Sequence, residues 1–330
     1  MTPSQLAPIT LPAIQQPVRT ELDGVFDELG RIVRSDFPLI ADVNMHLLRI
    51  KGKLFRPTLL LLAARAAERL APTKITLAAT VELIHLATLV HDDSVDHSVL
   101  RRGQPTINAL FSHQTAVIMG DYLYSRAIIE LVNLADLEPL RVMARVTNEM
   151  TVGEMRELEA YDALDYSEDA YAALISAKTA SLMSGACEVG AVDADPGCRE
   201  ALRRYGHLLG MAFQITDDVL DYTETERTTG KPSGLDLREH KITLPLIAGL
   251  PQMTAAERGS VQALMTAPEP GDDAIADVIA AVQARGGVQR ARARAAEYAE
   301  RAVEELGALP PGRARDALED CLTYAVERRS

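Results

Sequence analysis

Two helical, apolar stretches of this chain each carry three aspartates in the same spacing, Asp-Asp-x-x-Asp: Asp92-Asp93-Ser94-Val95-Asp96 and Asp217-Asp218-Val219-Leu220-Asp221. The residues leading into them, Leu86-Ala87-Thr88-Leu89-Val90 and Met211-Ala212-Phe213-Gln214-Ile215, carry no charge. On a helix, positions i and i+4 stand one turn apart on one face, so Asp92 pairs with Asp96 and Asp217 with Asp221. Like charges gathered in a partly apolar setting raise one another's pKa unless a cation offsets them. A hard divalent ion is the natural counter-charge, and magnesium suits because it shares its oxygen shell between carboxylates, waters and a substrate's phosphates. One such run alone would read first as a solvated acidic face. Two runs, extended along their helices by His85 and by Gln214, read better as polar stripes on apolar helices.

The rest of the chain also favours helices. Of 330 residues, 47% are hydrophobic but only 4% aromatic, with no Trp. A core of Ala, Leu, Ile and Val suits closely packed helices better than half-buried strands. Apolar periodicity predicts helices over 19–35, 57–70, 74–99, 112–134, 139–161, 167–192, 199–222, 243–250, 272–286, 287–306 and 311–328. Pro- or Gly-containing breaks separate them, and strand-like alternation is scarce, so the fold class is all-α. No low-complexity linker divides the chain, and we expect a flexible N-terminal segment over 1–18 followed by one domain over 19–330. The polar stretch 230–240, directly after the second acidic helix, is a candidate lid.

The formal net charge of −13 works against covering nucleic-acid phosphates, and no nucleic-acid partner is expected. Cys187, Cys198 and Cys321 form neither a metal-ligand spacing nor an even disulfide framework, which fits a reducing compartment, and the expected location is cytoplasmic. The N-terminus lacks the features of a signal peptide, and no apolar run is long enough to span a membrane. Cations nonetheless gather near the acidic helices: Lys53 and Arg56 before the first, Arg101 and Arg102 after it, then Lys178, Lys231 and Lys241. Singly they have ordinary readings, a solvated helix start for Lys53 and Arg56 and C-terminal helix capping for Arg101-Arg102; His85 alone reads as a core histidine. Together they read as a diphosphate site.

This pattern resembles the trans-isoprenyl diphosphate synthases. The resemblance runs through Gly52-Lys53-Leu54-Phe55-Arg56-Pro57, Glu82-Leu83-Ile84-His85 to Asp96, Arg101-Arg102-Gly103, Gly120-Asp121-Tyr122-Leu123, Lys178-Thr179, Phe213 to Asp221, and Gly230-Lys231 to Lys241-Ile242-Thr243-Leu244-Pro245. It implies a single-domain bundle of antiparallel helices around a deep central cavity, usually as a homodimer. It implies that Asp92, Asp96 and Asp217 bind Mg²⁺, with Asp93, Asp218 and Asp221 supporting them or holding metal waters. By the same resemblance Lys53, Arg56, His85 and Arg102 hold isopentenyl diphosphate, Arg101, Lys178, Lys231 and Lys241 steady an allylic diphosphate, and Thr179 and Gln214 line the reacting centre. Three positions depart from the family pattern: Lys51 and His240 stand where glycine is usual, and Leu54 where Arg is common.

The implied reaction ionises the allylic diphosphate, adds the alkene of isopentenyl diphosphate to the resulting carbocation, and eliminates a proton. Each cycle pushes the product further into the cavity, where burial favours its retention by about 0.8 kcal/mol per CH₂. Ala87 and Thr88, five and four residues before Asp92, occupy positions where bulky aromatics resemble the plug of short-chain enzymes, so the small residues here imply a long product. The expected function is a long-chain, octaprenyl-like synthase for quinone side chains, with transient membrane contact for product release. A short-chain synthase, a terpene cyclase on the same fold and a non-catalytic partner subunit are the alternatives.

Overall fold

The computed structural model describes residues 9–49, 52–101, 103–158, 163–223 and 234–327. Among them the chain runs through α1 (Leu11–Gln15), α2 (Arg19–Ile32), α3 (Pro38–Arg49), α4 (Phe55–Ala66), α5 (Thr73–Val95), α6 (Ile107–Leu110), α7 (His113–Asn133) and α8 (Leu137–Glu157). It continues through α9 (Glu168–Ile175), a π-helical turn (Ser176–Ala180), α10 (Ser181–Gly190), α11 (Pro196–Thr223), α12 (Leu235–Arg238) and α13 (Leu244–Gly249). The last helices are α14 (Ala255–Thr266), α15 (Asp272–Ala284), α16 (Gly287–Leu306) and α17 (Arg313–Glu327). One two-residue hairpin, β1 (Leu100–Arg101) against β2 (Gln104–Pro105), is the β-structure among the described residues.

The small side chains do what the composition implies. Every residue of α10 is buried, and α4, α5, α8 and α11 all pack around it. That is a centre only a helix of small residues allows, since bulkier side chains on all faces would hold its neighbours apart. The first acidic motif ends α5, in a core cluster with Leu59, Leu62, Ile84 and Met183. The second ends α11, whose Ile215, Val219 and Tyr222 belong to a separate cluster with Leu246 and Val288. The two motifs are thus presented by the two halves of one bundle. α5 is long and apolar enough to cross a membrane, but most of its apolar window is buried in the protein and it carries Glu82, Asp92 and Asp93, which makes it a core helix.

Several boundaries differ from those expected. α1 and the 3₁₀ turn Gln16–Val18 bury Ile14 and Val18 completely, so the described part of the segment expected to be flexible, residues 9–18, is packed against the bundle by its apolar side chains. Helices α3 and α14 lack a counterpart in the periodicity reading. α14 has a sequence signal of its own, a capping box in which Thr254 and Glu257 satisfy each other's backbone N–H groups. α5 stops at Val95 rather than at residue 99: Asp96 caps it, its N–H donating to the Asp92 carbonyl at 2.8 Å, and His97 turns the chain with φ +52°.

The single helix expected over 167–192 is interrupted by the π turn that carries Lys178 and Thr179. A π turn inserts one extra residue and displaces side chains from the regular helical face. Two glycines make room for it. A Cβ on Gly210 of α11 would lie 2.5 Å from the Ala180 Cα, and one on Gly153 of α8 would lie 2.8 Å from the Lys178 backbone nitrogen. Gly210→Ala is therefore expected to destabilise the protein by about 1–3 kcal/mol through overpacking. Gly30→Ala on α2, where an added Cβ meets nothing within 4 Å, should stabilise it by about 0.5–1 kcal/mol. Urea unfolding of both variants reads the contrast; stabilisation by Gly210→Ala would contradict the packing argument.

Candidate active site

Both acidic motifs open onto one cavity of about 1640 Å³. Its lining includes Asp92, Asp96, Asp217, Asp218 and Asp221, together with Lys53, Arg56, His85, Ala87, Thr88, Lys178, Thr179, Gln214 and Lys241. Arg102 and Lys231, with Lys51 and the first part of the candidate lid, lie outside the described residues. Asp93 and Arg101 do not reach the cavity lining. They face each other instead, Arg101 Nε lying 2.8 and 2.9 Å from the two Asp93 carboxylate oxygens. Arg101, read as a diphosphate ligand, is thereby engaged in clamping the β1 strand to the end of α5.

The neighbours of each aspartate divide the six into two sets. Asp93 is held by Arg101. Asp218, buried, accepts hydrogen bonds from the Tyr171 hydroxyl at 2.5 Å and from the Gln214 amide at 2.8 Å. Asp221 accepts the backbone N–H groups of Leu235 and Asp236, each at 3.0 Å, one on each carboxylate oxygen. It caps α12 and fixes the start of that helix. Asp92, Asp96 and Asp217, the three that the resemblance implies as metal ligands, form the other set. Asp96 and Asp217 are exposed and Asp92 half-buried, and among the described residues no hydrogen bond ties down the carboxylate of Asp92 or Asp96.

The electrostatics cut across the two sets. Burial, reinforced by the charge of Glu154, pushes the Asp92 carboxyl up to about 7. Burial likewise raises Asp218 to about 7, against the bonds from Tyr171 and Gln214 that favour its charge. Asp236, which periodicity and motif reading passed over, is half-buried near Asp218 and Asp221 and is held well above the usual carboxylate range by desolvation and by their charges. A set of hard oxygen donors whose ionisation is opposed by burial and by like charge fits a divalent cation. No three metal-type side chains already converge on one point among the described residues. An ion here would be shared with oxygens from a substrate, as magnesium commonly is.

The cations are also constrained. Lys178 Nζ donates to Glu154 at 3.0 Å and to Glu157; burial disfavours its charge, but the two carboxylates hold its pKa above the ordinary lysine value. Lys241 pairs with Glu239 at 2.8 Å. Thr179 donates to the Gln214 carbonyl at 2.8 Å, completing a chain Thr179–Gln214–Asp218–Tyr171 that crosses from the π turn to α11 and back to α9. His240 sits at φ +58°, a left-handed conformation that glycine adopts freely and other residues seldom do, and its ring lies 2.8 Å from the Ala267 carbonyl. Leu54, at the start of α4, is also left-handed at φ +49°.

Residues 37–282 match the family described as Polyprenyl synthetase. The chain is 39% identical to the all-trans-nonaprenyl-diphosphate synthase (geranyl-diphosphate specific) of Rhodobacter capsulatus, over 96% of this chain and 97% of that one. It is 35% identical to heptaprenyl diphosphate synthase component 2 of Geobacillus stearothermophilus, over 96% of this chain and 99% of that one. The crystal structure of a polyprenyl synthase from Caulobacter crescentus CB15, complexed with calcium and isoprenyl diphosphate, has the same fold, with TM-score 0.93 and 34% identity over 98% of this chain and 100% of that one.

The division of the aspartates is testable by thermal unfolding with and without Mg²⁺ plus inorganic diphosphate. Asp218→Ala strands the buried Tyr171 hydroxyl, at a cost of about 1–3 kcal/mol, and should lower the melting temperature in both conditions. Asp217→Ala, at an exposed position, should change the unliganded melting temperature by no more than about 0.5 kcal/mol equivalent and abolish the rise on adding metal and diphosphate. Equal loss of basal stability in both variants would contradict the division.

Proposed function

The chain belongs to the polyprenyl synthetase family and is a prenyltransferase, and from that premise we propose that it is a long-chain all-trans polyprenyl diphosphate synthase serving quinone side chains. The observation that carries the long-chain reading is the lining and size of the cavity beside the first acidic motif. The small residues Ala87 and Thr88 line it, together with Tyr124, Ala144 and Thr147 from α7 and α8. Its volume of about 1640 Å³ exceeds the roughly 300–1,000 Å³ of ordinary small-molecule pockets. Relatives named for nonaprenyl and heptaprenyl products support the same reading.

In this proposal Asp92, Asp96 and Asp217 hold Mg²⁺, which when bound neutralises charge on the allylic diphosphate. Lys178 and Lys241, with Lys231, orient that diphosphate for departure. Lys53, Arg56 and His85, with Arg102, hold isopentenyl diphosphate so that its alkene meets the allylic carbon. Thr179 and Gln214, locked in one orientation by Asp218 and Tyr171, form the polar edge of the reacting centre. In this reading the departed diphosphate takes the proton. The apolar wall below excludes water from the carbocation.

α7 exposes Val117, Ile118, Ile129 and Val132, an apolar stripe that supports assembly as a homodimer. The match to a protein named as component 2 favours one second reading, in which elongation requires a different partner chain. Three free, buried cysteines support a cytoplasmic location.

Purified protein incubated with farnesyl diphosphate, labelled isopentenyl diphosphate and Mg²⁺ should give products longer than geranylgeranyl diphosphate, resolved by chromatography after dephosphorylation. Chelation should abolish turnover and added Mg²⁺ restore it. Absence of any elongated product from the chain alone would remove the homomeric reading, and products ending at geranylgeranyl diphosphate would remove the long-chain one. Ala87→Phe should shorten the product distribution, because an aromatic ring then occupies the cavity about 7 Å below Asp92.

A further inference from the structure

The two carboxylates on Lys178 exceed what holding one lysine requires. Glu154 and Glu157, three residues apart on α8, both accept hydrogen bonds from its ammonium group, taking two of its three donors. The cluster carries a net charge of −1 before Asp92 and Asp96 are added, and Glu154 lies within electrostatic range of both. Glu157 also lies within range of Lys241, which Glu239 already pairs. A bare diphosphate approaching Lys178 therefore meets a cation whose charge has been cancelled, in a wall of carboxylates. The backbone fixes this arrangement, because Gly153 lets α8 press against the π turn at Lys178.

We infer that Glu154 and Glu157 are positioning residues that make diphosphate binding conditional on a divalent cation, by holding Lys178 in place while cancelling its charge. This rests on the proposed synthase reading and adds to it the form in which substrate is admitted. The ion-paired lysine offers its third N–H to a phosphate oxygen only when metal charge offsets the surrounding carboxylates. Free allylic diphosphate or released diphosphate is then rejected while the metal complex is retained.

The test is calorimetric titration of inorganic diphosphate into the full chain, with Mg²⁺ and with chelator, for the wild-type protein and for Glu157→Gln, Glu154→Gln and Glu157→Asp. Each Gln variant keeps side-chain shape and removes one negative charge. The expected result is that Glu157→Gln and Glu154→Gln bind metal-free diphosphate at least tenfold more tightly than wild type, narrowing the ratio between the two conditions. Glu157→Asp, which retains the charge, should keep the wild-type ratio. A merely structural role would weaken binding in both conditions and leave the ratio unchanged. An unchanged ratio in whichever Gln variants fold, as judged by circular dichroism, would overturn the inference. If wild type elongates prenyl chains but the ratios do not move, this inference fails alone; if wild type fails to elongate, the synthase reading fails whatever the ratios.

Discussion

Mutual repulsion among carboxylates confined to one partly apolar cavity is the constraint on which the rest of this structure depends. Six aspartates arrive on two helices, and Glu154, Glu157, Asp236 and Glu239 stand among them. Such a set ionises only if each charge has a partner. The protein supplies internal partners for Asp93, Asp218 and Asp221: a guanidinium for the first, a phenol and an amide for the second, two backbone N–H groups for the third. Asp92, Asp96 and Asp217 line the same cavity. We propose these three as the metal ligands, and they have the donor chemistry that suits a hard divalent ion.

The bundle brings those three aspartates and Lys178 to one cavity. α10, made of residues small enough to be buried on every face, lets α4, α5, α8 and α11 converge. Immediately before α10 the backbone widens into the π turn, and Gly153 and Gly210 allow the neighbouring helices to close on it. Lys178 and Thr179 are thereby offset from the regular helical face and directed into the cavity. The same turn anchors the Thr179–Gln214–Asp218–Tyr171 chain, so that chain and the lysine share one backbone turn.

Much of this was legible in the sequence, and the illegible parts share a cause. The i,i+4 spacing of Asp92 with Asp96 and the apolar flanks of both motifs specify which helices face the cavity. The family resemblance separates Asp92, Asp96 and Asp217 from the other three aspartates. Glu154 and Glu157 escape notice because, on an amphipathic helix, an acidic pair three residues apart has the pattern of a solvated face; only the lysine delivered from another helix distinguishes them. The π turn leaves no trace in periodicity, since its flanks read as one continuous helix. The pairing of Arg101 with Asp93 is not visible in the sequence, because the two meet only through the hairpin that follows α5. Residues 11–18 look Pro- and Gln-rich, yet Ile14 and Val18 are fully buried against the bundle.

The most direct test of the central claim is to locate the metal itself. Crystals grown with Mn²⁺ and inorganic diphosphate, measured at the manganese absorption edge, should show anomalous peaks bounded by Asp92 and Asp96 on one side and Asp217 on the other, with Asp93 still paired to Arg101 and Asp221 still capping α12. Peaks centred on Asp93 or Asp221, or diphosphate bound in the cavity without any metal beside it, would contradict the account.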